Sequence, residues 1–280
     1  MRLDEPVTTA RWRAELALGY ERRGTRTVLA ARRHDGPLVV QKPLYPEGAA
    51  VCHTIVVHPP GGIAGGDELT LDVAIGAGAH ALLTTPGAGK WYRSGGAWAA
   101  QGLAFDVAAG ACLEWLPQET IVFDGARARL GAQVRLAADA RYIGWEILCL
   151  GRTGSGERFE RGRIRLQNLI SRDGRPLWLE SASLDGGAAL LASRAGLAGK
   201  PVCGTLAAAA PRIGEDLLAA CRAIASSEGE AAVTLLPGVL LARWLGDSGE
   251  AARHYFVRLW AVLRPAITGR EAVEPRIWRT

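Results

Sequence analysis

Between residues 51 and 200 apolar side chains fall at every second position, again and again. Leu69, Leu71, Val73 and Ile75 alternate with Thr70, Asp72 and Ala74, so the two sets point to opposite faces of a strand. Leu103, Phe105 and Val107 repeat the pattern, as do Val134 and Leu136. Residues 73–79, 105–111 and 134–140 also share one grammar, in which two alternating apolar residues lead into Ala-Gly-Ala or Ala-Asp-Ala. A second apolar segment follows each copy, at residues 82–83, 113–116 and 142–148. A strand, a small-residue turn and another strand, recurring about every thirty residues, predict stacked hairpins or a solenoid-like coil of sheet.

After about residue 200 the pattern changes. Residues 205–210 read as a strand, and Ile213, Leu217, Leu218, Cys221 and Ile224 fall at helical spacing. Residues 232–236 and 239–245 form two strands around Pro237-Gly238. Ser248 caps a final helix carrying Ala252, Phe256, Leu259, Trp260 and Leu263, which Pro265 is expected to stop. The expected fold is mostly β, with stacked strand or hairpin layers and about two helices. Residues 1–200 form a β-rich scaffold, and residues 201–280 an α+β unit packed on it.

Composition narrows the class. Hydrophobic residues make up 49% and charged residues 22%, which describes a globular chain rather than a disordered one. No apolar run is long enough to span a membrane, and residues 1–15 lack a signal-peptide core, so the chain reads as cytoplasmic. Five scattered cysteines without a CxxC argue against a disulfide framework and a zinc site. The net charge of +5 admits an acidic partner. Arg161, Arg163 and Arg165 would share one strand face, either as a solvated surface or as an acidic docking site. No aromatic RNA-binding motif or zinc-finger spacing points to nucleic acid.

Candidate chemistry is sparse. His58-Pro59-Pro60-Gly61-Gly62-Ile63-Ala64-Gly65-Gly66-Asp67 is a glycine turn that suits either tight packing or converging backbone N–H groups. Gly87-Ala88-Gly89-Lys90 fails as a phosphate loop, because Thr84 and Trp91 stand where glycine and a hydroxyl residue are needed. Cys52, His53 and His58 are metal-ligand types, but Cys52 and His53 face opposite sides of an extended strand. Glu119, Asp124 and Glu146 are carboxylates set in apolar stretches, so each must meet water, a partner or an internal polar path.

Several long blocks carry a resemblance. They include Gln41-Lys42-Pro43-Leu44-Tyr45-Pro46-Glu47-Gly48, Cys52-His53 and the segment 58–67. Leu83-Thr84-Thr85-Pro86-Gly87-Ala88-Gly89-Lys90-Trp91-Tyr92-Arg93-Ser94 and residues 113–125 continue the set. Trp145-Glu146-Ile147-Leu148-Cys149-Leu150-Gly151-Arg152, Ser155-Gly156-Glu157, Leu263-Arg264-Pro265 and Pro275-Arg276-Ile277-Trp278-Arg279-Thr280 complete it. In this order, from about residue 38 onward, the chain closely resembles the UreD (also called UreH) family of urease accessory proteins.

The resemblance implies a mostly β fold with helices near the C-terminus, and a maturation factor rather than an enzyme. Its implied partners are the urease apoprotein, a helical accessory protein of the UreF type and a nickel-carrying GTPase of the UreG type. No cofactor is held permanently; nickel passes in transit, through a polar internal tunnel. On that basis Glu119, Asp124 and Glu146, with His58 and Asp67, are the expected members of the metal route. Trp260, Ile277 and Trp278, in an end segment rich in apolar residues, are the expected partner contacts. The competing reading is a metal-dependent hydrolase using Cys52, His58, Asp67 and Glu119.

Overall fold

The computed structural model describes residues 12–279, so most of the charged amino-terminal stretch lies outside the described residues. The chain opens with β1 (Arg13–Arg23), β2 (Arg26–Asp35), β3 (Val39–Val40) and β4 (Cys52–Val57). It continues through β5 (Glu68–Ile75), β6 (His80–Thr84), β7 (Gly89–Trp91), β8 (Ala99–Val107) and β9 (Cys112–Trp115). Next come β10 (Thr120–Val122), β11 (Arg127–Leu136), β12 (Arg141–Leu150), β13 (Arg163–Arg172) and β14 (Arg175–Asp185). A single helical turn, α1 (Ala189–Ala192), precedes β15 (Val202–Ala209), α2 (Glu215–Arg222), β16 (Glu230–Leu236) and β17 (Val239–Gly246). The long α3 (Gly249–Thr268) and a 3₁₀ turn (Arg276–Arg279) finish it.

Two sheets face each other. The first runs β14-β13-β11-β8-β5-β1-β2, and the second β16-β17-β15-β12-β9-β6-β4-β3, with β10 bridging β12 and β7. Three times the chain steps from the first sheet to the second, β5 to β6, β8 to β9 and β11 to β12, and equivalent strands pair in parallel. The Ala-Gly/Asp-Ala grammar is the corner of this coil. Corners stack through backbone bonds, with the Gly78 N–H donating to Ala109 O (3.0 Å) and the Arg141 N–H to Ala111 O (2.9 Å). Asp139 replaces glycine in the third copy and accepts from the Gly110 N–H at 2.7 Å. Ala79, Ala111 and Ala140 are fully buried at the same point of each corner, where the neighbouring coil leaves room for a methyl group.

The solenoid expectation therefore holds, and burial explains the two patterns of hydrophobicity. The first sheet packs one face on the inter-sheet core and shows the other to solvent, so β5 alternates. The second sheet is covered on both sides, by the first sheet and by α2, α3 and the C-terminal turn, so β6 and β9 are buried throughout. β12 pairs with β15 from Cys149↔Val202 to Tyr142↔Ala209, so one continuous sheet spans residue 200.

Two expectations need correction. Pro265 does not stop the final helix, which ends at Gly269 in the left-handed region (φ 71°). Arg264 and Ile267 flank the proline and are buried, and the Gly269 N–H caps Pro265 O at 2.9 Å; these offset the one missing N–H donor. Trp278, expected as a partner contact, instead packs into the second core, beside residues of β17.

The glycine turn uses its four glycines for two reasons. Gly61 and Gly66 hold φ of 76° and 104°, whereas a side chain at Gly62 would strike the Tyr92 ring and one at Gly65 the Ser94 hydroxyl. Gly66→Ala and Gly62→Ala should each destabilise by about 1–3 kcal/mol, while Gly87→Ala, in open space, should change stability by under about 0.5 kcal/mol. Denaturant titrations of the three variants check this.

Candidate functional site

The two sheets leave a cavity of about 120 Å³ between them, enough for several ordered waters. Trp91, Trp115 and Trp178 form part of its wall, and Gln118, Glu119 and Glu146 bring polar groups to it. Glu146 on β12 stands opposite Thr205 on β15, which in turn stands opposite Arg243 on β17. On the facing sheet Asn168 pairs with Glu180 across β13 and β14. The Arg243 guanidinium donates to Thr205 Oγ1 (2.6 Å) and to Glu180, while Asn168 Nδ2 donates to Glu180 Oε2 at 3.3 Å. A row of partly buried polar groups thus joins the two sheets beside the cavity and ends at the exposed Arg243. Burial, reinforced by the charge of Glu180, raises the Glu146 pKa to about 7. Glu119 joins the wall from the loop before β10, and its carboxylate accepts from Arg253 Nε on α3 at 3.1 Å.

The fold gathers Glu119 and Glu146 at the cavity and puts the other nominated residues elsewhere. Asp124 accepts the N–H groups of Glu160 (3.0 Å) and Arg161 (2.7 Å) and the Arg161 guanidinium (2.5 Å). Burial works against its charge, but these bonds from Arg161 and Glu160 keep its pKa below the usual range. Asp67 closes the glycine turn, accepting the Ala64 N–H at 2.8 Å and the Trp12 N–H at 3.3 Å. His58 is half-buried at the head of that turn; burial lowers its pKa against the pull of Asp67. Cys52 lies in the inter-sheet core. Among the described residues no three His, Cys, Asp or Glu side chains stand close enough to hold one metal ion. The hydrolase reading, which needs Cys52, His58 or Asp67 beside Glu119 around a metal, finds no such ligand cluster among the described residues.

Trp260 and Trp278 face inward, contrary to an exposed contact. Their indole N–H groups need interior acceptors and find them, Trp260 in Glu114 Oε2 (2.6 Å) and Trp278 in Thr84 Oγ1 (2.8 Å). Their rings lie 5.9 Å apart, with Trp145 5.7 Å from Trp278. Ile277 is half-buried against the same core.

Under α3 lies a buried ionic chain. Arg264, without exposed surface, donates through Nε to both oxygens of Glu114 (3.0 Å each) and through Nη2 to Glu47 Oε1 (2.6 Å). His80 Nε2 donates to Glu114 at 2.7 Å, and His53 Nε2 to Glu47 at 2.6 Å. Burial would lower the His80 pKa, yet its Cys112 and Glu114 neighbours hold it up at about 10. Burial would raise the Glu47 pKa, yet hydrogen bonds from His53 and Arg264 hold it down at about 2.

Comparison with known proteins decides the family. A family model described as UreD urease accessory protein matches residues 13–279. The chain belongs to the UreD family. It is 60% identical over 282 residues to the Urease accessory protein UreD of Dechloromonas aromatica (strain RCB), covering 99% of this chain and 98% of that one. The protein of the same name from Azoarcus sp. (strain BH72) is 58% identical, over 96% and 94%. That of Pseudomonas aeruginosa (strain PAO1) is 52% identical, over 96% and 95%. Membership places the chain in urease maturation, among proteins named as accessory factors rather than enzymes. No helix of the described residues is long and apolar enough to cross a membrane.

Sequence reasoning missed the ionic chain of this UreD-family protein, although its signals were present. Glu114 sits between Leu113 and Trp115 in a strand buried on both faces. Arg264 falls four residues beyond Trp260 on the apolar stripe of α3. A lone charge on each buried surface calls for the other.

Arg264→Met should destabilise by about 3–5 kcal/mol, because it leaves Glu114 and Glu47 without their guanidinium. The stability that Glu47 contributes is complete above its ordinary pKa of 4.5 and is lost as pH falls toward about 2. That of His80 is complete below 6.5 and is lost as pH rises through about 10. Unfolding titrations across pH should show both limbs, and Glu47→Gln should flatten the acid one.

Proposed function

We propose that this chain is a non-catalytic scaffold in urease maturation that also conducts nickel, cargo rather than cofactor, through the inter-sheet cavity. It binds the urease apoprotein and works with a helical accessory protein and a nickel-carrying GTPase. The observation that carries this reading is Glu146 at the inter-sheet cavity of a urease accessory protein, with Glu119 lining the same wall and turning its carboxylate to Arg253 on α3. A conduit must release what it binds. Oxygen donors presented singly, without a complete ligand cluster, suit that need. Affinity in the micromolar range or looser, about 8 kcal/mol or less per site, fits such handover.

Glu146 adds a proton to the exchange. With a pKa near 7 it is readily neutral in an empty cavity, and an arriving cation displaces its proton. Arg253 beside Glu119 and Arg243 beside Glu180 offset charge around the route, which keeps a divalent ion from settling.

Deleting the gene from an organism with a nickel urease should abolish urease activity; full activity would end the scaffold reading. Replacing Glu119 and Glu146 with glutamine should lower the nickel content of activated urease without loss of fold. Full nickel loading by that variant would place the route elsewhere. Asp124→Asn should instead act on stability alone.

The raised pKa of Glu146 also has a thermodynamic sign. Between its ordinary 4.5 and about 7 the folded chain keeps a proton that the unfolded chain loses, so this carboxyl erodes stability as pH rises. Glu146→Gln should therefore gain about 1–3 kcal/mol at pH about 8 and little at pH about 4, measured by denaturant unfolding.

A further inference from the structure

The solvent face of the first sheet carries charges that its own fold does not balance. Arg127 and Arg129 on β11 stand directly opposite Arg163 and Arg165 on β13. Like charges opposed at two successive outward positions destabilise a sheet. Arg163 pairs with Asp185, and Arg161 and Arg93 share Asp124. Arg127 donates to a backbone carbonyl, that of Gly96, at 2.8 Å. Among the described residues neither Arg129 nor Arg165 has a carboxylate within ion-pair distance. Both instead lie over the Trp98 ring, at 4.7 and 4.9 Å from its centroid. Six guanidinium groups thus meet two carboxylates.

The shape around them is open. Arg93, Arg127, Arg161 and Arg163 border a surface concavity of about 540 Å³. Further along the strands the outward positions are small apart from Gln167, with Ala100, Gly102, Gly131, Ser181 and Ser183 lining a second shallow concavity beside Arg129 and Arg165. We propose that this strip is a docking surface for an extended acidic segment of a protein partner.

Charge and spacing both select that occupant. Outward arginines two residues apart on a strand are about 7 Å apart, the repeat at which an extended chain presents every second side chain. Carboxylates take guanidinium forks in pairs, and stacking on Trp98 sets two of those forks before the partner arrives. The small residues of the second concavity let a partner backbone lie close. Single-stranded nucleic acid needs an open aromatic face, and that of Trp98 is occupied by guanidinium groups. The strip is separate from Glu119 and Glu146, so it stands or falls independently of the nickel route.

The test is fluorescence anisotropy on the full chain, with a dye-labelled peptide of about twelve residues alternating glutamate and serine as probe. Salt should weaken binding, and the double reversal Arg129→Glu with Arg165→Glu should weaken it at least about tenfold. Reversing Arg32 and Arg33, exposed on β2, makes the same change in net charge elsewhere and should leave binding within about twofold. Equal loss from both reversals, no binding by the wild type, or tighter binding of a labelled oligothymidylate would overturn the proposal. Arg129→Gln with Arg165→Gln separates a structural role, because relieving the opposed charges should keep or raise the melting temperature. A fall of more than about 5 °C would assign the pair to fold stability and overturn the proposal as well.

Discussion

Arg264 sits without exposed surface between Glu114 and Glu47, and the placement of everything C-terminal to β17 follows from that contact. Glu114 comes from β9 in the middle of the second sheet, and Glu47 from the loop leading into β4 near its edge. A guanidinium can serve both only if α3 crosses the sheet in one register. Hydrophobic packing alone would tolerate a slide or a rotation of the helix; a buried ion pair does not, because any displacement strands a charge in apolar surroundings. The imidazoles of His80 and His53 extend the constraint to two further carboxylate contacts.

The coil beneath was legible in the sequence because it is local and repeated. Strand alternation, the three small corners and the change of grammar near residue 200 each report a contact made within about thirty residues of chain. The second sheet was legible as strands, but what covered it was not. Its continuous apolar runs state that both faces are buried, and the cover comes from α3 and Trp278, far along the chain. The same distance hid the ionic chain, in which Glu114 and Arg264 are 150 residues apart.

At the cavity the sequence pointed to carboxylates, and the fold brings two of those it singled out, Glu119 and Glu146, to the wall. In this fold the carboxylates set in apolar stretches end in three different surroundings. Glu119 and Glu146 reach the cavity, Asp124 and Asp67 bind backbone N–H groups in turns, and Glu114 meets a buried guanidinium. Nothing in the immediate neighbours of these residues separates the three outcomes, because each is decided by strand register and by partners on other elements. The tryptophans near the C-terminus show the same ambiguity. Apolar composition marks them for burial, and only the fold tells whether their own core or another chain supplies it.

The order in which the chain is made meets the order in which it must pack. The Arg264 to Glu47 and Trp278 to Thr84 contacts span 217 and 194 residues. The coil through β14 can form on the ribosome well before α3 emerges, whereas β16 and β17 of the second sheet are made just ahead of it. During that interval the outer face of the second sheet is bare, and Glu114 and Glu47 have the His80 and His53 imidazoles beside them but not yet the Arg264 guanidinium. Hydrated carboxylates among exposed leucines act as gatekeepers, disfavouring premature association of the unfinished sheet with another nascent chain. The residue that fixes the last helix thus leaves behind, until it arrives, a pair of charges that guard the surface it will cover.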